Sequence, residues 1–224
     1  MEVQEVKLIT TIAPFDFVRQ QRAISTWLGL GYDVLSVNSK TEIEVLKNHF
    51  PNVFFVETEN IGDGYDKPYV RLNAITDLIT EPALVINSDI EIHKPINPVI
   101  GEKEIIIYQR SDYDLNTATA RRFQSGFDAF YLTPEFCKLI PNTNLVIGQC
   151  HWDYFIPMLA IKNKWSIKMP RRSHMYHKKH VLAYDNAKWR YTADIFAKEL
   201  GLSGNAHADS SYSLRLIKSK LKLI

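Results

Sequence analysis

The first half of the chain alternates short apolar runs with segments of helical periodicity. Residues 6–13 and 32–39 are rich in aliphatic side chains, and each run is followed by a segment whose apolar positions recur every three or four residues. The segment 15–31 ends in glycines, and its apolar positions are Phe17, Ile24, Trp27 and Leu28. With a helical segment at 41–50 and a strand at 53–58, the pattern predicts two βα units of a parallel sheet.

A turn-rich loop and a fourth strand come next. The loop spans 59–68, and Asp66 near its end is placed to cap a helix. The apolar face of that predicted helix comprises Val70, Ala74, Ile75, Leu78 and Ile79. The run over 83–92 then predicts the fourth strand.

The second half predicts further strands and helices around one long polar loop. Strands are expected at 104–110, 128–133 and 165–170, and helices at 134–140, 152–163 and 186–200. The segment 111–126 is long for a connection, and such a length is typical of a lid that covers a bound ligand. No linker divides the chain, so we expect a single α/β domain with a mixed, mostly parallel sheet flanked by helices.

Composition and charge narrow the class of protein. The chain has 224 residues, of which 46% are hydrophobic and 23% charged, and this balance argues against disorder. A formal net charge of +2 is too small to indicate a nucleic-acid binder. Cys137 and Cys150 fit no metal or disulfide pattern, and no apolar run reaches the ~18 residues of a membrane span. With no secretory signal at its start, the protein is expected in the cytoplasm.

Polar side chains follow directly on the buried run of the fourth predicted strand. The segment 84–95 reads LVINSDIEIHKP, with Asn87, Asp89 and Glu91 at alternate positions. Alternate side chains of an extended chain point to one side, and α/β sheets bind ligands at the carboxyl ends of their strands. One amide and two carboxylates there predict a site for a hard divalent cation, Mg²⁺ or Mn²⁺. The alternative is a turn cap at Asp89 and a solvated Glu91.

The run N-S-D-I-E-I, after two βα units and a loop, resembles the DxD-type motif of GT-A fold glycosyltransferases. The resemblance implies that Asp89 binds a metal ion that bridges the diphosphate of a nucleotide sugar. Asn87 stands where the family has its first acid and, with Ser88, is expected at the donor. Because an amide brings no negative charge, Glu91 is expected to compensate as a further metal ligand.

The resemblance also implies how the chain is organised. It predicts one GT-A-like domain over residues 1–224. A nucleotide-binding half is expected at 1–100, an acceptor-side half at 101–200, and a basic amphipathic segment at 201–224.

Two further segments agree with the resemblance in their order. The segment 125–136 is similar to the turn that would place Gly126 and Asp128 beside the donor sugar or the acceptor. The segment 147–157 resembles a helix start that presents an acid, Asp153, to the acceptor as general base or hydrogen-bond partner. The alternatives are a helix cap at Asp153 and a turn-closing role for Asp128.

The basic segment 171–180 resembles the late histidine-containing segment of the family, which binds the metal or the diphosphate. His174 or His177 is the expected metal ligand. The cations expected to neutralise the diphosphate are Arg171, Arg172 and Lys178. A helical turn would put His174, His177 and His180 on one side and a strand would split them; the alternative is a solvated loop.

Residues at strand ends and after the turn-rich loop complete the expected donor site. The resemblance places the base and ribose at the ends of the first two strands, with Thr10, Thr11, Ile12 and Asn38. Ordinary strand termination is the alternative. Lys67 and Arg71 are placed to reach phosphates, or are simply solvated.

These features predict a metal-dependent glycosyltransferase that moves a sugar from a UDP- or GDP-sugar to a hydroxyl of a glycan, lipid or protein. A sugar-phosphate nucleotidyltransferase or another metal-dependent phosphate enzyme is one alternative, but residues 10–21 lack the glycine-rich phosphate loop of the sugar-activating nucleotidyltransferases. A non-catalytic nucleotide-sugar-binding module is another, suggested by Asn87. The segment 213–224 interleaves apolar residues with cations, so it either contacts the inner face of a membrane or packs on the domain.

Overall fold

Strands and helices alternate through most of the chain. The computed structural model describes residues 6–180 and 185–224. The strands are β1 (Lys7–Thr10), β2 (Val34–Asn38), β3 (Phe54–Glu57), β4 (Ala83–Ile86), β5 (Ile90–Ile92), β6 (Glu104–Tyr108), β7 (Ser111–Tyr113), β8 (Arg121–Arg122), β9 (Ala129–Leu132), β10 (Ser166–Met169), β11 (Met175–Lys178) and β12 (Leu221–Leu223). The helices are α1 (Phe17–Gly29), α2 (Lys40–Leu46), α3 (Leu72–Thr76), α4 (Pro134–Cys137), α5 (Trp152–Lys162), α6 (Asn186–Leu200) and α7 (Ala206–Lys220).

The larger of two sheets has eight strands in the order β12-β10-β6-β9-β4-β1-β2-β3. Neighbouring strands are parallel, except that β9 runs antiparallel to both β4 and β6. Side chains alternate between its faces, so Ile9 and Val85 join the core cluster that includes residues of α3–α7, while Leu8 and Leu84 join the cluster that includes residues of α1 and α2. The expected α/β class, with a mixed and mostly parallel sheet flanked by helices, is confirmed.

The strand order changes direction between β1 and β4. From β1 the chain adds β2 and β3 on one side, and then returns to place β4 on the other side of β1. The connections that leave the carboxyl ends of β1 and β4 therefore turn away from each other, and a crevice opens between them. This crevice is bordered by residues 11–16 and 87–89, which follow the two strands.

The predicted strand 83–92 is two strands in two different sheets. β4 ends at Ile86, and a turn in which the Ile90 N–H donates to the Asn87 carbonyl at 3.2 Å leads into β5. β5 then pairs antiparallel with β11 in a smaller sheet of order β5-β11-β7-β8. Because the chain turns at 87–89, the expectation that residues 87, 89 and 91 share one side is wrong.

Three other segments differ from the prediction. The segment 111–126 is not an open loop, because β7 pairs with β8 across a 3₁₀ turn at Thr117–Thr119. The helix expected from Asp66 begins at Leu72, and the Asp66 carboxylate instead accepts a hydrogen bond from Lys188 Nζ at 2.9 Å. The segment 171–180, which contains His174, His177 and His180, forms the strand β11 over Met175–Lys178.

The C-terminal segment packs on the rest of the protein. In α7, Ile217 is fully buried, and Leu214 and Leu216 pack against the larger core cluster. β12 extends the main sheet by pairing parallel with β10. None of the helices in the described part of the chain is long and apolar enough to cross a bilayer. Membrane contact through this segment stays a prediction.

Candidate functional site

A cleft of about 1310 Å³ lies at the crevice between β1 and β4. One wall is built from the residues after these two strands, including Thr11, Ile12 and Asp89. The opposite wall comes from residues 147–154, with contributions from α6 and α7. The cleft therefore combines residues from both halves of the chain at the carboxyl ends of parallel strands, where α/β sheets bind their ligands.

Three side chains of the types that bind metal ions converge in the cleft. His177 Nε2 lies 3.3 Å from Asp89 Oδ2, and His180 Nε2 lies 3.4 Å from the same oxygen. One ligand atom from each residue falls within 4.8 Å of the others, so the group could hold a metal ion. Burial of Asp89 disfavours its charged form, but hydrogen bonds from His177 and His180 outweigh this effect and lower the pKa of the carboxyl group. Asp89 is therefore a carboxylate at neutral pH.

His177 is held from behind by a second carboxylate. Its Nδ1 lies 3.1 Å from Asp112 Oδ1, so Nε2 faces Asp89. Burial alone would lower the pKa of His177, but hydrogen bonds to Asp112 and Asp89 raise it to about 8. A carboxylate on the far nitrogen is the arrangement that orients metal-binding imidazoles.

Arg110 links this cluster to a further acid. Its Nε donates to Asp112 Oδ1 at 2.7 Å, and its Nη1 pairs with Asp128 Oδ1. Burial raises the pKa of Asp128 despite the nearby charge of Arg110. Asn87 Nδ2 also donates to Asp128 Oδ1, at 3.4 Å. Among the residues that the structure describes, Asp128 Oδ2 and Asn87 Oδ1 are buried acceptors with no partner, which is a costly state unless a ligand donates to them.

Asp153 lies on the opposite wall in the first turn of α5. Its Oδ2 accepts a hydrogen bond from the Phe127 N–H at 3.3 Å, and burial together with the charge of Asp128 raises its pKa to about 7. The predicted cap at this position is not formed by Asp153, because the residue before the helix is His151. Gly126 stands close by, and a Cβ there would lie 2.9 Å from Asp153 Oδ2.

Two residues predicted at the nucleotide are structural. Thr10 is fully buried, and its Oγ1 donates to the Ile86 carbonyl at 2.6 Å, joining β1 to β4. Asn38 is also fully buried, and its Nδ2 donates to the Ile12 carbonyl at 2.9 Å. Both side chains are thus used in holding strand ends together and do not line the cleft.

Other residues predicted at the nucleotide lie on the cleft wall. These are Thr11, Ile12, Lys67, Asn87 and Ser88. The ammonium of Lys67 lies over the ring of Phe15, 4.1 Å from its centroid. Ser88 Oγ donates to Gln20 Oε1 at 2.8 Å, which ties the turn after β4 to α1.

The structure does not bring Glu91 to Asp89. Glu91 lies on β5, is buried, and binds Arg22 at 2.9 Å and His93 at 2.8 Å, while also accepting a hydrogen bond from Tyr113. Its charge is therefore paired with Arg22 of α1, away from Asp89. The expectation that Glu91 binds the same metal ion as Asp89 is therefore wrong.

Several other expected site residues also lie outside the cleft lining. His174 precedes β11 in a left-handed backbone conformation, with a φ of 51°, and does not line the cleft. Arg71 pairs with Asp63, which occupies its charge. The other expected site residues that lie outside the cleft lining are Gly126, Arg171, Arg172 and Lys178. Arg171 instead lies beside the end of β12, where its N–H donates to the Ile224 carbonyl at 3.0 Å.

Sequence reasoning missed several charged or polar residues of the cleft, among them Arg110, Asp112, Arg19 and Gln149. Arg110 follows the buried strand β6, as residues 87–89 follow β4, whereas Asp112 lies within β7. Arg19 is on the first turn of α1, and its Nη1 is buried without a partner among the described residues. Gln149 follows Gly148 on the opposite wall. Only the packing of distant segments shows that these residues face one cavity.

Comparison of the sequence with protein-family models and with curated proteins gave no match. Two properties of the cleft indicate its chemistry: a carboxylate beside two imidazoles, and an acid with a raised pKa.

Proposed function

We propose that this protein is a metal-dependent glycosyltransferase of GT-A-like fold, which transfers a sugar from a nucleoside-diphosphate sugar to a hydroxyl group. The proposal is carried by one observation: Asp89, His177 and His180 cluster at the β1–β4 crevice, in a cleft that also contains Asp153. The order of the elements supports a GT-A-like scaffold, because three βα units precede β4, whose end bears the acidic motif.

The donor atoms at this end of the cleft fit a divalent transition metal. Two ligands of one ion at about 2.1 Å are themselves about 3.0–3.4 Å apart. The separations of 3.3 and 3.4 Å from Asp89 Oδ2 to the two histidine nitrogens agree with this spacing. Imidazole favours transition metals over Mg²⁺, so of the two ions expected from the sequence Mn²⁺ fits better. When bound, it would supply positive charge for the departing diphosphate.

Cationic side chains of the chain itself would bind the diphosphate. Arg19 lies in the first turn of the 13-residue helix α1, where backbone N–H groups and the helix dipole favour an anion. Its Nη2 pairs with Asp16, while its Nη1, which has no partner among the described residues, offers a donor within the cleft. Lys67, which also lines the cleft, adds a second positive charge from the opposite loop.

Asp153, Asp128 and Asn87 would act on the acceptor. Asp153, with a pKa of about 7, is suited to take the proton from an attacking hydroxyl at neutral pH. Asp128 and Asn87 carry buried unpartnered oxygens and would accept hydrogen bonds from sugar hydroxyls. Arg110 would keep Asp128 oriented through their ion pair.

Calorimetric titration tests the proposal directly. UDP- and GDP-sugars are titrated with and without Mn²⁺, and nucleotide release is then followed with time. We expect Mn²⁺-dependent donor binding and slow donor hydrolysis, both lost in Asp89→Ala. The matched control is Asp77→Ala, an exposed aspartate outside the cleft lining.

The outcomes separate the proposal from its two alternatives. Binding of the donor with no turnover, even with sugar acceptors, would identify a binding module. Formation of a nucleotide sugar from a sugar phosphate and a nucleoside triphosphate would identify a nucleotidyltransferase. If the wild type binds no nucleotide, or if Asp89→Ala turns over donor at the wild-type rate, the proposal is wrong.

A further inference from the structure

Gln149 is an unpaired amide on the wall of the cleft opposite Asp89. Its side chain is only 6% exposed and lines the cleft. Among the described residues, neither its Nε2 nor its Oε1 has a hydrogen-bond partner. A buried primary amide normally uses both its donors and its acceptor, so one left unpaired indicates that a ligand completes it.

An aromatic group of the same cleft lies close to His151, which follows Gln149 by two residues in the chain. Trp189 on α6 and His207 on α7 both line the cleft, with ring centroids 4.5 Å apart. Behind Trp189 lies the ring of His151, at 5.2 Å. His151 is buried and forms hydrogen bonds with Thr192 and Ser210, which fix the position of its ring. Ser211, also on the cleft wall, adds a hydroxyl.

The groups around Gln149 suit a neutral, polar ligand with one apolar face. Burial lowers the pKa of His151 to about 4, so this ring is uncharged at neutral pH. An amide that offers both donor and acceptor matches neighbouring hydroxyls, and a flat aromatic surface matches the C–H face of a ring. Pyranose sugars combine these two features, whereas a phosphate would need cations.

The cleft is large enough for a second ligand. Its volume of about 1310 Å³ exceeds the roughly 300–1,000 Å³ of a typical pocket for one drug-sized ligand. Gln149 and Asp153 are four positions apart in the chain, and both line the cleft. A ring bound at Gln149 would therefore share the cleft with the proposed base.

The geometry points to a pyranose-binding subsite formed by Gln149, Trp189, His207 and Ser211, so that the acceptor is a carbohydrate. This assignment rests on the proposed glycosyl transfer and narrows its acceptor from glycan, lipid or protein to a sugar. Gln149 would bind a pair of ring hydroxyls, and Trp189 would pack against the opposite face of the ring.

Saturation-transfer NMR with methyl glycosides tests the subsite without donor or metal. The panel comprises the methyl pyranosides of glucose, galactose, mannose and N-acetylglucosamine. We expect at least one to bind the wild type, and Gln149→Leu to weaken that binding at least tenfold. Gln21→Leu is the matched control, because Gln21 lies on α1 outside the cleft lining. Trp189→Phe should remove any change in tryptophan fluorescence caused by the glycoside.

Parallel calorimetry with Mn²⁺ and UDP keeps this inference distinct from the proposed function. If the wild type binds Mn²⁺ and UDP but none of the glycosides, the subsite is wrong and the donor site stands. Glycoside binding that is equal in Gln149→Leu and wild type would also overturn it. If the glycoside binds at Gln149 while Mn²⁺ and UDP do not bind, the transferase proposal fails and the sugar site remains. Circular dichroism confirms that each variant is folded.

Discussion

The carboxylate of Asp112 lies 3.1 Å from Nδ1 of His177 and turns the other ring nitrogen towards Asp89. This contact does more than bury a charge. It selects the face that the imidazole presents to the cleft, and a carboxylate partner increases the basicity of a metal-binding imidazole. The metal site proposed here therefore depends on a residue that is not itself a ligand.

Replacing that residue should weaken metal binding. Asp112→Asn keeps the shape of the side chain but removes its charge, so we expect Mn²⁺ affinity to fall by about 10- to 100-fold. Calorimetric titration with Mn²⁺ measures this change. Asp114→Asn is the control, since Asp114 is exposed and pairs with Lys179. Unchanged Mn²⁺ affinity in Asp112→Asn would show that His177 is not a metal ligand.

The proposed base should control the pH dependence of transfer. Asp153 must lose its proton to act, so kcat/KM should rise as the pH increases through about 7. Asp153→Asn should lower kcat by about 10²- to 10⁴-fold and abolish this rise, while leaving donor affinity nearly unchanged. Rate measurements between pH 5.5 and 8.5 in wild type and variant provide the check. A variant that keeps the same pH profile would rule out Asp153 as the base.

Gly126 is expected to be needed for the position of Asp153. A Cβ at this position would lie 2.9 Å from Asp153 Oδ2 and 3.0 Å from the Phe123 ring, so Gly126→Ala forces one of them to move. We expect a loss of about 1–3 kcal/mol in the free energy of unfolding, together with a lower kcat. Urea denaturation and steady-state kinetics measure the two effects.

Gly29→Ala is the matched control for that substitution. Gly29 ends α1, and a Cβ there meets nothing within 4 Å. Alanine in a helix is favoured over glycine by roughly 0.5–1 kcal/mol, so this variant should be as stable as the wild type or more stable. Equal stability of the two glycine variants would mean that Gly126 has room for a side chain.

His151 should make the fold less stable in mild acid. Burial lowers its pKa from 6.5 to about 4 in the folded protein, so between these values the unfolded chain binds a proton that the folded protein does not. The free energy of unfolding is therefore unaffected by His151 above pH 6.5. It falls by on the order of 2–3 kcal/mol as the pH is lowered towards 4.

Urea denaturation at several pH values tests this effect. The free energy of unfolding should depend less on pH in His151→Gln than in the wild type over this range. His49→Gln, which changes an exposed histidine stacked on Phe17, should leave the pH dependence as it is. An identical pH dependence in His151→Gln would show that another group is responsible.

The sequence by itself determined the class of fold and one end of the site. Apolar runs with a period of two or of 3.6 residues are local properties, so β1 to β4 and α1 could be predicted from them. The place of Asp89 after a fully buried strand could be predicted for the same reason, since β4 is apolar throughout. Asp153 was expected at the site only because the segment 147–157 resembles a helix start of the family, and its partner Phe127 was not expected.

The tertiary structure decided which residues meet Asp89. The turn at 87–89 sends Glu91 into the smaller sheet, and the pairing of β11 with β5 brings His177 to the cleft in place of His174. Neither result follows from periodicity, because a strand pairs with partners far away in the chain, and a change of register by one residue would reverse every side chain. Tertiary packing also places Asp112 beside His177 and Arg110 beside Asp128, because only the packed sheets bring these residues together.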